Sequence, residues 1–423
     1  MTLPGAPFLA FRGPDLYLDD VRLSDLAQAH GAPLYVYSRQ AMLAALAPYQ
    51  KALAERRHLI CYAVKANSNL AVLQTFAKAG CGFDIVSSGE LARVLAAGGE
   101  PDKIVFSGVG KTRDEMREAL QVGVKCFNVE STAELEVLSE VASQAGHRAR
   151  ISLRVNPDVD AGTHPYISTG LKGNKFGIAH EQALATYQRA ASLPGLEVVG
   201  IDCHIGSQIT EVSPYLDALD RVLDLVEAIE KAGIPIHHLD LGGGLGITYT
   251  DEAPPSADRL IGLLLEKIDA RGHGQREIMF EPGRSLVGNS GVLLTEVLFL
   301  KPGEQKNFCV VDAAMNDLMR PALYEAYMGI VNTSQRADGT PAQLWDVVGP
   351  VCESGDWLGR DRTLAVQAGD VLAVLSAGAY GMTMASNYNT RGRAAEILVD
   401  GSRHWVIRQR ESVQSLFALE TLL

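Results

Sequence analysis

Lys65, Asp84, Arg154, His204, Ser207, Glu281, Gly283 and Arg284 each stand in, at or just beyond the C-terminal half of a short apolar run rich in β-branched residues. A buried strand needs none of these residue types. Taken singly they have ordinary structural explanations. A lysine at a strand end snorkels to water, a lone histidine fills a core, a glutamate near an arginine forms an ion pair, and the glycine run 242–246 makes a turn. If the apolar runs are strands of one barrel, all of these residues arrive together at one mouth, where the loops after the strands build active sites.

The chemistry open to such a mouth is specific. A lysine desolvated at the top of a barrel has its ammonium form disfavoured, which frees its amine to attack a carbonyl; Lys65 fits that role. Backbone amides of the run 242–246 can approach a phosphate closely, with Ser207 and Arg284 as further donors. A carboxylate opposite a pyridine nitrogen keeps it protonated and makes the ring an electron sink, the part suited to Glu281, while His204 could stack on the ring face. Together they describe a site for a phosphorylated aldehyde cofactor held as an imine on a lysine. Nothing in the spacing of acidic, histidine or cysteine residues suggests a metal site.

The elements that must position these residues alternate from 59 to 284. Eight candidate strands, 59–66, 82–87, 103–108, 125–130, 149–157, 198–206, 237–244 and 277–283, alternate with amphipathic stretches such as 87–99 and 213–233. That pattern predicts an α/β fold, a (β/α)8 TIM-like barrel over 33–284 with a leading helix at 38–57. The strand-like runs 291–301, 307–313, 343–349 and 370–376, punctuated by Gly and Pro, predict a second, mostly β domain from 1–32 and 285–423. The stretch 156–177 is longer than a usual βα connection and is either a lid over the mouth or a passive surface loop.

The 423 residues, 47% hydrophobic and 21% charged, are enough for a large core without disulfide or metal staples. A net charge of −12 argues against nucleic acid or an anionic membrane as partner. Six well-separated cysteines, no leader pattern and no long apolar run suggest free thiols and a cytoplasmic location. Residues 107–112, SGVGKT, end like a P-loop, but Val105 stands where that motif needs glycine. The glycine run likewise lacks dinucleotide-binding spacing.

The motifs YAVKAN (62–67), GFDIVSSGEL (82–91), HIGSQ (204–208), GGGLG (242–246), EPGR (281–284), CESGD (352–356) and GAYGMTMASNYN (378–389), with the long stretch 154–177, resemble those of the diaminopimelate decarboxylases. These belong to the alanine racemase and ornithine decarboxylase group of pyridoxal-phosphate enzymes. The resemblance covers nearly the whole chain. It implies that Lys65 carries the cofactor, His204 stacks on it and Glu281 pairs with its nitrogen. Asp84 and Arg154 would orient this inner set, and Ser207, Gly243, Gly244, Gly283, Arg284 and Tyr380 would hold the phosphate end. Arg284, Arg320, Tyr324 and Tyr380 would meet the substrate, with Glu353 taking its distal ammonium. Cys352, the candidate acid competing with Lys65 to reprotonate the α-carbon, and Glu353 would come from the partner of a homodimer with shared active sites. The implied reaction is decarboxylation of meso-2,6-diaminopimelate to L-lysine, the last step of lysine biosynthesis. Arg320 suits a second carboxylate and would repel the bare ammonium of ornithine or lysine. The alternatives are a decarboxylase of ornithine, arginine or carboxynorspermidine, or a protein that binds the cofactor without turnover.

Overall fold

A computed structural model describes residues 2–160, 170, 174–336 and 339–423. It divides into two compact units, one of residues 45–247 and 253–285, the other of 1–44, 248–252 and 286–423. Among the described residues no helix is long and apolar enough to cross a membrane.

The first unit is a closed barrel of eight parallel strands: β1 (His58–Ala63), β2 (Gly82–Ile85), β3 (Ile104–Phe106), β4 (Cys126–Val129), β5 (Ala149–Asn156), β6 (Leu196–Asp202), β7 (His238–Asp240) and β8 (Glu277–Phe280). Each pairs with the next, and β8 closes on β1 through Ile278↔His58 to Phe280↔Ile60. Leu59, Cys61, Val105, Cys126, Val199 and Met279 form one buried cluster contributed by five of the strands. The helices that follow begin on sequence-encoded caps. Ser87 accepts from the Glu90 amide, Ser131 from Glu134, and Thr112 makes a full capping box with Glu115.

All eight expected strands exist, but most end sooner than the apolar pattern suggests. The run 59–66 leaves the sheet after Ala63 for a tight turn at Val64–Ala66, and 237–244 keeps only three strand residues. Past these points the backbone pairs with side chains and neighbouring loops. The Gly242 amide donates to Asp240 Oδ1 at 3.0 Å, and the Cys203 amide to Asp240 O at 3.1 Å. The polar strand ends are therefore loop starts, which frees their side chains for chemistry.

The second unit holds a nine-stranded mixed sheet, with Gly291–Lys301 paired to Phe308–Val311, Leu34–Ser38 and Val371–Val374. Residues 33–44, grouped with the barrel on sequence, cluster with this unit. Leu34–Ser38 is buried along its whole length and continues the sheet to Ala395–Asp400. Near the N-terminus a helix, Leu23–His30, forms on the shared buried face of Leu23, Leu26 and Ala27.

Candidate active site

Lys65 sits in the turn after β1, and its Nζ donates to Asp84 Oδ2 on β2 at 2.9 Å. The Asp84 side chain is fully buried while that of Lys65 is 39% exposed, so the pair lies at the boundary between barrel interior and mouth. Asp84 Oδ1 is buried with no hydrogen-bond partner among the described residues. On β5, Arg154 donates to Glu130 Oε1 at 3.1 Å, and Glu130 also accepts the Gly108 and Gly177 amides at 3.1 and 2.9 Å. Glu130 thus fixes an arginine that is itself 8% exposed.

Glu281 follows β8 and is buried. Its amide donates to Gly242 O at 2.7 Å, and Asn128 Nδ2 reaches its Oε1 at 3.3 Å. Burial, then the nearby carboxyls of Asp240, Asp84 and Asp202, hold its proton affinity well above the usual carboxyl range. The Gly243 amide donates to His204 Nδ1 at 3.1 Å. That makes Nδ1 an acceptor and leaves the ring proton on Nε2. Burial, reinforced by Arg154 and Lys65, depresses the His204 pKa well below its usual value, so the imidazole is neutral.

The glycine run is required by close backbone approach. A Cβ on Gly243 would lie 2.1 Å from Glu281 O, and one on Gly244, which has φ +95°, would lie 2.3 Å from Gly206 O. Gly242, Gly243 and Gly246 have already committed their amides, to Asp240, His204 and Ile209. This narrows the anion-binding role expected of the whole run: Gly243 orients His204, while the Gly244 and Leu245 amides keep no acceptor among the described residues. Arg284 Nη2 donates to Ser207 Oγ at 3.0 Å, bringing those two together, and Gly283 packs 3.1 Å (as a built Cβ) from the Ala63 and Ala66 methyls. Gln208, quoted in the sequence but given no role there, clamps the two loops through both ends of its amide, to Ile247 O at 2.7 Å and from Ile247 N at 3.1 Å.

These residues fit pyridoxal phosphate: an amine at Lys65, a buried acid at Glu281, a neutral ring at His204, and amide, hydroxyl and guanidinium donors at Gly244, Ser207 and Arg284. The sequence reading missed Asn128, Glu130, Asp202 and Asp240. Their signal was a polar residue inside an otherwise apolar strand run or just past its end.

In the second unit, Arg320 is 7% exposed, with its guanidinium carbon 5.5 Å from the Tyr249 ring centre and 5.6 Å from that of Tyr324. Tyr249 was not anticipated. Asp356, buried, accepts the Met315 and Val351 amides at 2.6 and 2.7 Å and so pins the turn that presents Cys352 and Glu353, both exposed. The Cys352 amide donates to Asn389 Oδ1 at 3.1 Å. Tyr380 adopts φ +55° in the loop after Val371–Val374. Most of the candidate lid, 161–169 and 171–173, lies outside the described residues.

Residues 39–288 match the family model described as pyridoxal-dependent decarboxylase, pyridoxal binding domain. Fold and site together thus define a barrel enzyme of the pyridoxal-dependent decarboxylase class. The diaminopimelate decarboxylase of Pseudomonas aeruginosa is 59% identical over 414 residues, 98% of this chain and 99% of that protein. Among solved structures, diaminopimelate decarboxylase from Helicobacter pylori complexed with L-lysine matches with a TM-score of 0.89 and 41% identity, over 94% of this chain and 98% of that one. The enzyme from M. jannaschii in co-complex with L-lysine gives 0.94 and 37%, over 100% and 99%. The chain belongs to the diaminopimelate decarboxylase family.

Proposed function

We infer that the reaction is carried by the barrel mouth, and that the Lys65–Asp84 pair facing buried Glu281 is the observation that carries this reading. The chain is a carboxy-lyase that decarboxylates meso-2,6-diaminopimelate to L-lysine and CO2. Its cofactor is proposed to be pyridoxal 5'-phosphate, held by Lys65, Asp84, Arg154, His204, Ser207, Gly243, Gly244, Glu281, Gly283, Arg284 and Tyr380. Bound there, the cofactor supplies an aldehyde for the substrate amine and a ring that accepts the electron pair left when CO2 departs.

The protein's own groups set up that chemistry. Asp84 orients Lys65 through the 2.9 Å hydrogen bond from its Nζ. Glu130 holds Arg154 against the same interior. His204, neutral and fixed by Gly243, offers a flat face without adding charge. Arg284 and Ser207 present donors to a phosphate beside the Gly244 amide, where a double negative charge meets a guanidinium.

Arg320, braced by Tyr249 and Tyr324, is proposed to select a substrate with a second carboxylate, with Glu353 taking the distal ammonium and Arg284 and Tyr380 completing the substrate contacts. The α-carbon left by CO2 must gain a proton, for which Cys352 Sγ and Lys65 Nζ are the two candidate donors. The exposure of Cys352 and Glu353 supports their donation across the interface of a homodimer. Six free thiols are in keeping with a cytoplasmic location.

The test is direct. Purified chain with pyridoxal phosphate is given meso-diaminopimelate, ornithine or arginine, and CO2 and lysine are followed. Lysine from the diacid alone, lost in Lys65→Ala, is the expected result; turnover of ornithine or arginine instead would remove the role of Arg320.

A further inference from the structure

Asp202 and Asp240 are given no task in the reaction above, yet they are neighbours of Glu281. They are register partners on β6 and β7 and are 1% and 0% exposed. One oxygen from each, with one from Glu281, forms a set whose members all lie within 4.8 Å of one another. Asp240 accepts the Gly242 amide at 3.0 Å, but Asp240 Oδ2 and Asp202 Oδ1 have no hydrogen-bond partner among the described residues.

The charges facing this trio come from the strands across the barrel. They are Lys65 after β1, Asp84 on β2, Glu130 after β4 and Arg154 on β5, with the thiols of Cys61 and Cys126 nearby. Both cations are already engaged, Lys65 by Asp84 and Arg154 by Glu130. Three more carboxyl groups therefore share a water-poor interior without a cation of their own. They cannot all ionise there, and protons are the simplest way to reduce the charge.

We propose that Asp202 and Asp240 are positioning residues that keep a proton on Glu281 in the cofactor-free protein, so that Glu281 brings to the pyridine nitrogen the proton that nitrogen requires. In that step the Glu281 O–H bond breaks, its electron pair stays on the carboxylate, and an N–H bond forms on the ring. No proton is drawn from water. Burial raises all three groups, Asp240 to about 7; repulsion from Asp240 adds to the rise at Asp202 and Glu281 and repulsion from Asp84 to the rise at all three, while a side-chain hydrogen bond with Glu281 lowers Asp240. The inference rests on the cofactor reading above.

The test uses the full chain freed of cofactor. Infrared spectroscopy across a pH titration follows the protonated-carboxyl C=O stretch that Glu281→Gln removes. In the wild type this band should persist at pH 8. In Asp202→Asn/Asp240→Asn its midpoint should fall by about one pH unit or more. Calorimetry of pyridoxal phosphate binding, in two buffers of different ionisation enthalpy and at a pH between the two midpoints, should show the double variant taking up about one more proton than the wild type. Absence of the band in the wild type overturns the proposal even if the variant does not fold. So does an unchanged midpoint or proton count, or a divalent cation retained in stoichiometric amount after dialysis. A wild type that binds no pyridoxal phosphate, as read by cofactor absorbance, overturns the functional reading as well; one that binds it but lacks the Glu281 band overturns only this inference.

Discussion

Lys111 belongs to the P-loop-like segment that the sequence reading set aside, and the structure gives it a different task. Its side chain is fully buried, and Nζ is enclosed by Gly108 O at 2.8 Å, Asn128 O at 2.7 Å and Glu134 Oε1 at 2.7 Å. Three donors meet three acceptors, so nothing remains for a phosphate. Lys111→Met leaves Glu134, itself 7% exposed in its side chain, as a buried carboxylate without its cation. Removing one partner of such a pair costs about 3–5 kcal/mol. The charge part has a ceiling, because Glu134 can take up a proton; at pH 7 that costs about 1.4 kcal/mol per unit above its ordinary pKa, or roughly 3–4 kcal/mol. Near pH 5 the same protonation costs only about 1 kcal/mol, so the variant's deficit should shrink on acidification. Urea unfolding of wild type, Lys111→Met, Glu134→Gln and the double variant at pH 7 and pH 5 measures this as a double-mutant cycle. Glu134 also accepts the Glu130 amide at 2.9 Å, and Glu130 holds Arg154, so cofactor affinity should fall with stability. A Lys111→Met loss below about 1 kcal/mol, the range of an exposed pair, or one equal at both pH values, would refute the reasoning.

Further outcomes follow from the same geometry. Gly244→Ala places a Cβ 2.3 Å from Gly206 O at φ +95°, and should cost at least about 1–2 kcal/mol in stability and tenfold or more in pyridoxal phosphate affinity by absorbance titration. His238 is buried on β7, with burial then Lys125 and Arg150 lowering its pKa to about 3. Its folded pKa is depressed, so it favours the fold above pH ~6.5 and that contribution drains away as pH falls toward 3, by up to about 5 kcal/mol; His238→Asn should flatten this acid limb in urea unfolding followed against pH. Arg320→Gln should raise KM for meso-diaminopimelate by about 100-fold or more while leaving the bound-cofactor absorbance unchanged. Tyr249→Leu should raise it less, through a loosened Arg320; an unchanged KM in both would detach the Arg320 cluster from substrate recognition.

Much of the architecture was legible because barrel strands advertise themselves as apolar runs followed by amphipathic helices. The inner-site residues were legible for the opposite reason: Lys65, His204 and Glu281 interrupt that pattern at the strand ends. Strand ends were overread because hydrophobicity continues past the last ladder bond; Val64 and Ala66 are buried in a turn rather than in the sheet. Leu34–Ser38 was assigned to the barrel because five buried residues reveal that they form a strand but not which sheet receives them.

The partners that hold the site were hidden by a different limit. Period-two alternation puts Asp202 and Asp240 on the barrel's inner face, but alternation alone cannot say that two strands distant in sequence set those carboxyls side by side in register. Glu130 shows the same limit. Its role depends on three donors, Arg154 and the amides of Gly108 and Gly177, that the chain brings together only by closing the barrel. Residues that touch the reacting groups can be found from their chemistry, whereas residues that tune those groups are defined by what lies across the barrel. The charge on Glu281 depends on the second kind as much as on its own side chain, since its proton affinity is set by burial and then by Asp240, Asp84 and Asp202. Exchanging Glu281 alone therefore probes the whole set of carboxyls, and only paired substitutions at Asp202 and Asp240 separate the glutamate's contribution from theirs.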